Sequence, residues 1–172
     1  MEQLEQLAAA LRTRCPELEL REEEPMARHT TFRIGGPVRL MALPKTEEEA
    51  QLTLQTACQW RVKPFFLGNG SNLLVADQGY NGFVLKPAGE MEALRVIPPE
   101  RPGLNGRLEA GGALSLSRLS RAALEHGLTG LEFAQGIPGS VGGAVTMNAG
   151  AYGGEIEQVL LQVVALERDG TK

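Results

Sequence analysis

The chain has 172 residues, 42% of them hydrophobic, and a net charge of −4. That allows one ordinary domain or two small ones around a buried core, and the apolar fraction excludes a disordered tail. The acidic balance argues against a nucleic-acid partner, no apolar run reaches membrane-span length, and two cysteines and two histidines poorly supply a zinc site or a Ser-His-Asp triad.

The N-terminus, MEQLEQLAAALRTR, is acidic and amphipathic and lacks the basic start and apolar centre of a secretory signal. A cytoplasmic protein with reduced thiols at Cys15 and Cys58 is the expectation. Leu4, Leu7, Ala8 and Leu11 recur at helical spacing, which predicts a helix over 2–13. RLMALP (39–44) reads as a strand. Thr46 and Glu49 form a capping box, and Ala50, Leu54, Ala57 and Cys58 continue one face, so 47–60 reads as a helix. KPFFLG (63–68) and GFVLKP (82–87) read as further strands, giving β-α-β order. PPERPGLNG (98–106) reads as a loop. GRLEAGG (106–112) reads as a strand. Leu116, Leu119, Ala123 and Leu124 predict a helix closed by Gly127, with His126 a helix-end residue. AVTMNAG (144–150) and QVLLQVVALE (158–167) read as strands, and ERDG as a hairpin turn.

Glycine is in excess: 21 residues, where average usage gives roughly 12. The excess is clustered. Gly68-Asn69-Gly70-Ser71-Asn72 follows the apolar strand KPFFL. Two glycines permit positive φ and a close ligand approach, and successive N–H groups form a nest for anions. A Rossmann loop needs a third glycine and a following helix. Here G-N-G-S-N-L is followed by LVADQGYNGFVL, which holds no helix of useful length. A plain tight turn remains the competing reading. The second cluster, GIPGSVGGAVTMNAGAYGG (136–154), has seven glycines in nineteen residues. Backbone lying flat against a planar ligand needs such a composition, and Ser140, Thr146 and Asn148 add uncharged polar groups. A tightly wound structural turn is the alternative.

HTTFRIGGP (29–37), LGNGSNLLVADQGYNGFV (67–84), LEAGG (108–112) and GLTGLEFAQGIPGSVGGAVTMNAGAYGGEI (127–156) together resemble the UDP-N-acetylenolpyruvoylglucosamine reductase family. The resemblance implies an α+β fold, a two-lobed FAD-binding module of the vanillyl-alcohol-oxidase type. Residues 1–88 would be the first lobe and 89–172 an incomplete second lobe, with the cofactor groove between them and a substrate domain outside this chain. It implies non-covalent FAD, with the pyrophosphate held from Leu67, Gly68, Asn69, Gly70, Ser71, Asn72 and Leu73. The flavin side would be lined by Gly136, Ile137, Pro138, Gly139, Ser140, Gly142, Gly143, Asn148, Gly150, Ala151 and Tyr152.

The full enzyme of the family uses NADPH to reduce the flavin, which then reduces a UDP-sugar substrate, the enolpyruvate ether of UDP-N-acetylglucosamine, for peptidoglycan. The family's catalytic Arg, Ser and late Glu fall beyond Lys172, so no catalytic residue is assigned here, and neither Arg33 nor Glu155 is promoted. An FAD-dependent oxidase of the same fold and a non-catalytic FAD-binding module are the alternatives. Neither histidine lies in the glycine loops, which argues against covalent flavin attachment. A strand ending at the ERDG turn would lack its partner, so association through an open edge is expected.

Overall fold

The computed structural model describes residues 2–99, 101 and 106–172. The loop expected at 98–106 therefore lies partly outside the described residues, at 100 and 102–105. The chain divides into two compact units, Met1–Glu90 with Val164–Lys172, and Met91–Val163.

The first unit holds α1 (Glu2–Arg14), β1 (Glu19–Pro25), β2 (Pro37–Leu43), α2 (Glu47–Gln59), β3 (Pro64–Phe66) and β4 (Tyr80–Leu85). Their strands form one sheet in the order β1-β2-β4-β3. β1 runs antiparallel to β2, while β2 and β3 both pair parallel with β4. β2 reads as an unbroken apolar run because both its faces are covered. Leu40 and Ala42 pack with Leu7 and Leu11 of α1, Ala57 of α2 and Phe83 of β4. Met41 and Leu43 turn to the opposite face and pack with Met26, Leu67 and Val84. The helices thus cover one side, and the other side anchors the loop that begins at Leu67. At the start of α2, Thr46 Oγ1 accepts from the Glu49 N–H at 3.1 Å. The Glu49 carboxylate reaches back one residue further than a capping box requires, to the Lys45 N–H at 2.6 Å.

β1 was not expected. ELREEEP lacks an alternating apolar face, yet it pairs along β2 from Glu19↔Leu43 to Pro25↔Pro37. Its charges are matched instead: Arg21 with Glu19 and Glu24, Lys45 with Glu19, and Arg39 of β2 with Glu23.

The second unit holds β5 (Leu94–Ile97) antiparallel to β6 (Arg107–Ala110), α3 (Leu116–Glu125), α4 (Val141–Met147), and a short hairpin of β7 (Gly150–Ala151) and β8 (Gly154–Glu155). Its core is Leu114, Leu116, Leu119, Phe133, Ala134, Ala144 and Ile156. Ser115 caps α3 by accepting from the Arg118 N–H, and Gly127 follows the helix at φ 64°. His126 ends α3, its Nδ1 2.9 Å from the Ala122 carbonyl oxygen.

Two expected strands are corrected. AVTMNAG contributes to a helix, because Ser140 caps it and Asn148 at φ 44° ends it. A four-residue alternation could not separate period 2 from period 3.6. QVLLQVVALE forms no strand among the described residues; Gln158 closes a helical turn and the rest is irregular. Leu161, Val163 and Val164 are each more than half exposed. The ERDG turn does form, with the Gly170 N–H donating to the Glu167 carbonyl at 3.0 Å.

Candidate functional site

The first glycine loop is delivered by β3 and fixed at both ends. The Leu67 N–H donates to the Leu85 carbonyl at 2.9 Å, its side chain is buried, and Leu73 packs against the same cluster. At the centre Gly70 has φ 63°, and any Cβ there would fall onto the His29 carbonyl oxygen. Both conditions demand glycine. The Gly70 carbonyl accepts from the Thr31 N–H at 3.3 Å, so the loop lies directly on the His29–Thr31 backbone. Asn69 and Asn72 are exposed, and Gly68 and Ser71 half-buried. No helix follows: the chain turns at 71–72 and runs irregularly to β4. That removes the Rossmann alternative. Among the described residues, the backbone N–H groups of Gly68, Asn69, Gly70 and Asn72 donate to no protein acceptor. A glycine turn with unspent donors fits a phosphate group.

Beneath this loop is a buried polar chain that pattern reading missed. His29 Nε2 lies 2.9 Å from Glu24 Oε1, and Lys86 Nζ lies 3.0 Å from His29 Nδ1. An ammonium can only donate, so Nδ1 accepts and Nε2 carries the proton given to Glu24. Burial pushes the His29 imidazole below its ordinary value; Glu24 opposes this and Lys86 adds to it. Burial pushes Glu24 up, but hydrogen bonds from His29 and Arg21 outweigh it, and the carboxyl ends below the usual range. Lys86 lies 57 residues from His29 and the three share no motif, so only the fold completes the chain. An apolar groove flanks the loop on the same unit, lined by Met26, Phe65, Leu74, Val75 and Tyr80 among others.

The second segment is more tightly self-bonded. The Leu116 N–H donates to the Gly139 carbonyl at 3.0 Å, and the Val141 N–H to the Leu114 carbonyl at 2.8 Å. The Gly142 N–H donates to the Gly112 carbonyl at 2.8 Å, and a Cβ on Gly142 would stand 3.0 Å from that oxygen. Ile137 packs against the second core, while Gly136 and Pro138 are exposed. Gly143 is exposed in the first turn of α4, and Gly150 and Ala151 form β7. Tyr152, at φ 54° on the hairpin tip, is 98% exposed.

The expected free polar groups are largely committed elsewhere. The buried Ser140 hydroxyl caps α4 by accepting from the Gly143 N–H. Thr146 donates to the Gly142 carbonyl, and Asn148 bonds both the Glu155 carboxylate and the Glu157 N–H. Close packing within the fold accounts for glycine at 142 and 150, where a planar ligand was the expected cause. Among the described residues no cluster of His, Cys, Asp and Glu could hold a metal, and no helix is long and apolar enough to cross a membrane.

The chain is similar to known proteins in sequence and fold. The chain is 43% identical over 155 residues to a UDP-N-acetylenolpyruvoylglucosamine reductase of Syntrophomonas wolfei, covering 90% of this chain and 50% of that protein. It is 45% identical over 161 residues to one of Agathobacter rectalis, covering 90% and 51%. The chain therefore spans about half the length of the curated relatives it matches. Among solved structures, UDP-N-acetylenolpyruvylglucosamine reductase of Thermus caldophilus aligns with a TM-score of 0.59 at 33% identity, over 81% of this chain and 45% of that one. A solvent-stable cholesterol oxidase aligns with a TM-score of 0.60 at 16% identity, over 83% and 26%, which shows the fold alone. The fold is the α+β, FAD-binding type, of the vanillyl-alcohol-oxidase kind, that the sequence resemblance implied. Residues 38–172, which contain both glycine segments, match the model of the FAD binding domain, and the chain belongs to that family.

Proposed function

We propose that the chain binds FAD non-covalently and is the FAD-binding portion of an NADPH-dependent reductase. In this reading the pyrophosphate rests on the backbone N–H groups of Gly68–Asn72, with Leu67 and Leu73 as anchors. The flavin side is lined by Gly136–Ser140, Gly142, Gly143, Asn148, Gly150, Ala151 and Tyr152, and the two compact units act as FAD-binding lobes. One observation carries the proposal: a glycine turn in which the N–H donors of Gly68, Asn69, Gly70 and Asn72 are unspent among the described residues. The tight fit at Gly70 is a packing constraint that fixes the turn's shape. FAD would supply hydride transfer. This chain's residues would bind and orient it; no proton-transfer role falls on any of them. For the longer polypeptide, the relatives support reduction of the enolpyruvate ether of UDP-N-acetylglucosamine to UDP-N-acetylmuramate for peptidoglycan synthesis.

The test is titration of FAD into the chain and into Gly70→Val, followed by quenching of flavin fluorescence. Loss of the turn and its donors should weaken binding at least tenfold, the equivalent of one charged hydrogen bond of about 1.5 kcal/mol. Equal affinity in the two proteins would remove the loop from the site.

A further inference from the structure

We propose that His29 is a positioning residue for the phosphate-binding loop: its neutral ring holds the Lys86 ammonium, and its backbone packs against Gly70, so that the loop keeps its anion-binding form only while the ring is uncharged. The inference rests on the FAD reading of that loop.

His29 touches three parts of the unit at once. Its Nε2–H meets Glu24 at the end of β1. Its Nδ1 accepts from Lys86, the residue after β4. Its carbonyl lies where a side chain on Gly70 would have to go, and the adjoining Thr31 N–H bonds the Gly70 carbonyl. Lys86 stands one residue past Leu85, whose carbonyl receives the Leu67 N–H at the entrance to the loop. The side chains of His29 and Glu24 are more than nine-tenths buried. The charged groups around the ring are Glu24 and Arg21 of β1, Arg28 of the following helical turn, and Lys86. Arg21 Nη1 is 3.0 Å and Arg28 Nη1 4.0 Å from the same Glu24 oxygen.

A second proton would go to Nδ1, the atom now facing an ammonium 3.0 Å away. Two donors cannot share that contact, and like charges at that distance repel. Either Lys86 leaves the ring or the ring leaves Lys86, and the second movement shifts the His29–Thr31 backbone on which Gly70 rests. Both disturb an anion site by removing a cation or by deforming its backbone. The lowered imidazole value agrees with this geometry and places the change on the acid side of the ordinary His range.

The experiment has two arms on the 172-residue chain. In the first, amide NMR spectra are recorded without FAD from pH 8 down to pH 5. The Asn69, Gly70 and Ser71 amides should shift with the same midpoint as the His29 ring, and should stop doing so in His29→Gln. In the second, FAD affinity is measured across the same range. It should fall about tenfold or more toward acid, one charged hydrogen bond's worth. His29→Leu should show the loss already at neutral pH. His29→Gln should recover most of it and give a flat profile, because an amide can donate to Glu24 and accept from Lys86 without titrating. Loop amides that ignore the His29 midpoint would overturn the proposal, as would a pH profile unchanged in His29→Gln. Amides that follow His29 in a chain that binds no FAD at any pH would uphold the coupling and defeat the FAD reading instead.

Discussion

Asn148 and Tyr152 sit four residues apart in one glycine-rich segment, and the structure gives them different work. Asn148 takes the left-handed conformation that ends α4 and ties the helix to Glu155 and Glu157. Asn148→Ala should cost about 1–2 kcal/mol of stability, because it removes two hydrogen bonds and strains the turn. Tyr152 touches almost nothing, so Tyr152→Ala should leave stability within about 0.5 kcal/mol. If Tyr152 lines the flavin, that same change should weaken FAD. Thermal unfolding and flavin titration of both variants separate the roles; an unfolding loss in Tyr152→Ala would mean the tyrosine is packed.

Acid should destabilise the chain through the same buried cluster. Both His29 and Glu24 titrate below their ordinary range in the folded chain; the ordinary values themselves lie at about 6.5 and about 4.3. The unfolded chain therefore takes up protons first. Stability is full above about pH 6.5, falls as His29 would charge, and falls again below about pH 4.3 as Glu24 is neutralised. Urea unfolding midpoints between pH 8 and pH 4 test this. A midpoint that rises as pH drops below 6.5 would contradict it.

At the scale of elements, caps and periodicity were legible where they agreed with burial. α3 is framed by Ser115 and Gly127, and Leu116, Leu119 and Ala123 of its expected apolar stripe are buried, whereas Leu124 is exposed. Ser115→Ala should cost about 1 kcal/mol, measured by denaturant unfolding; no change would mean the 3.4 Å cap bond contributes nothing. β2, α2, β3 and β4 were legible for the same reason, each being an apolar run or stripe between turn residues. β1 was not, because its strand character comes from pairing with β2 and from matched charges rather than from an apolar face. β5, LRVI, is too short to show a period. α4 was misread because Ala144–Met147 alternates over too few residues, and its decisive signals are the flanking Ser140 and Asn148. QVLLQVVALE has strand composition but no pairing partner among the described residues. The glycine turn was legible as a turn of unusual backbone, whereas the Glu24–His29–Lys86 chain beneath it exists only once the sheet, with β2 between them, brings the ends of β1 and β4 near each other.

At the scale of the whole molecule, the two glycine segments fall in different compact units, and family membership covers both. The relatives are about twice as long. No catalytic residue is assigned among the described residues, so these 172 residues with saturating FAD should not oxidise NADPH with the enolpyruvate ether of UDP-N-acetylglucosamine. Turnover of an ordinary enzyme, roughly 1–10³ per second, would show that catalytic groups lie within them.

The central claim is that the chain holds FAD without a covalent bond. The direct measurement is the visible absorption spectrum of the purified chain after incubation with FAD and removal of the excess by gel filtration, read before and after denaturation. The account predicts a flavin spectrum that travels with the folded protein and is released into the filtrate on unfolding. A colourless protein at saturating FAD, or flavin that stays with the unfolded chain, would contradict it.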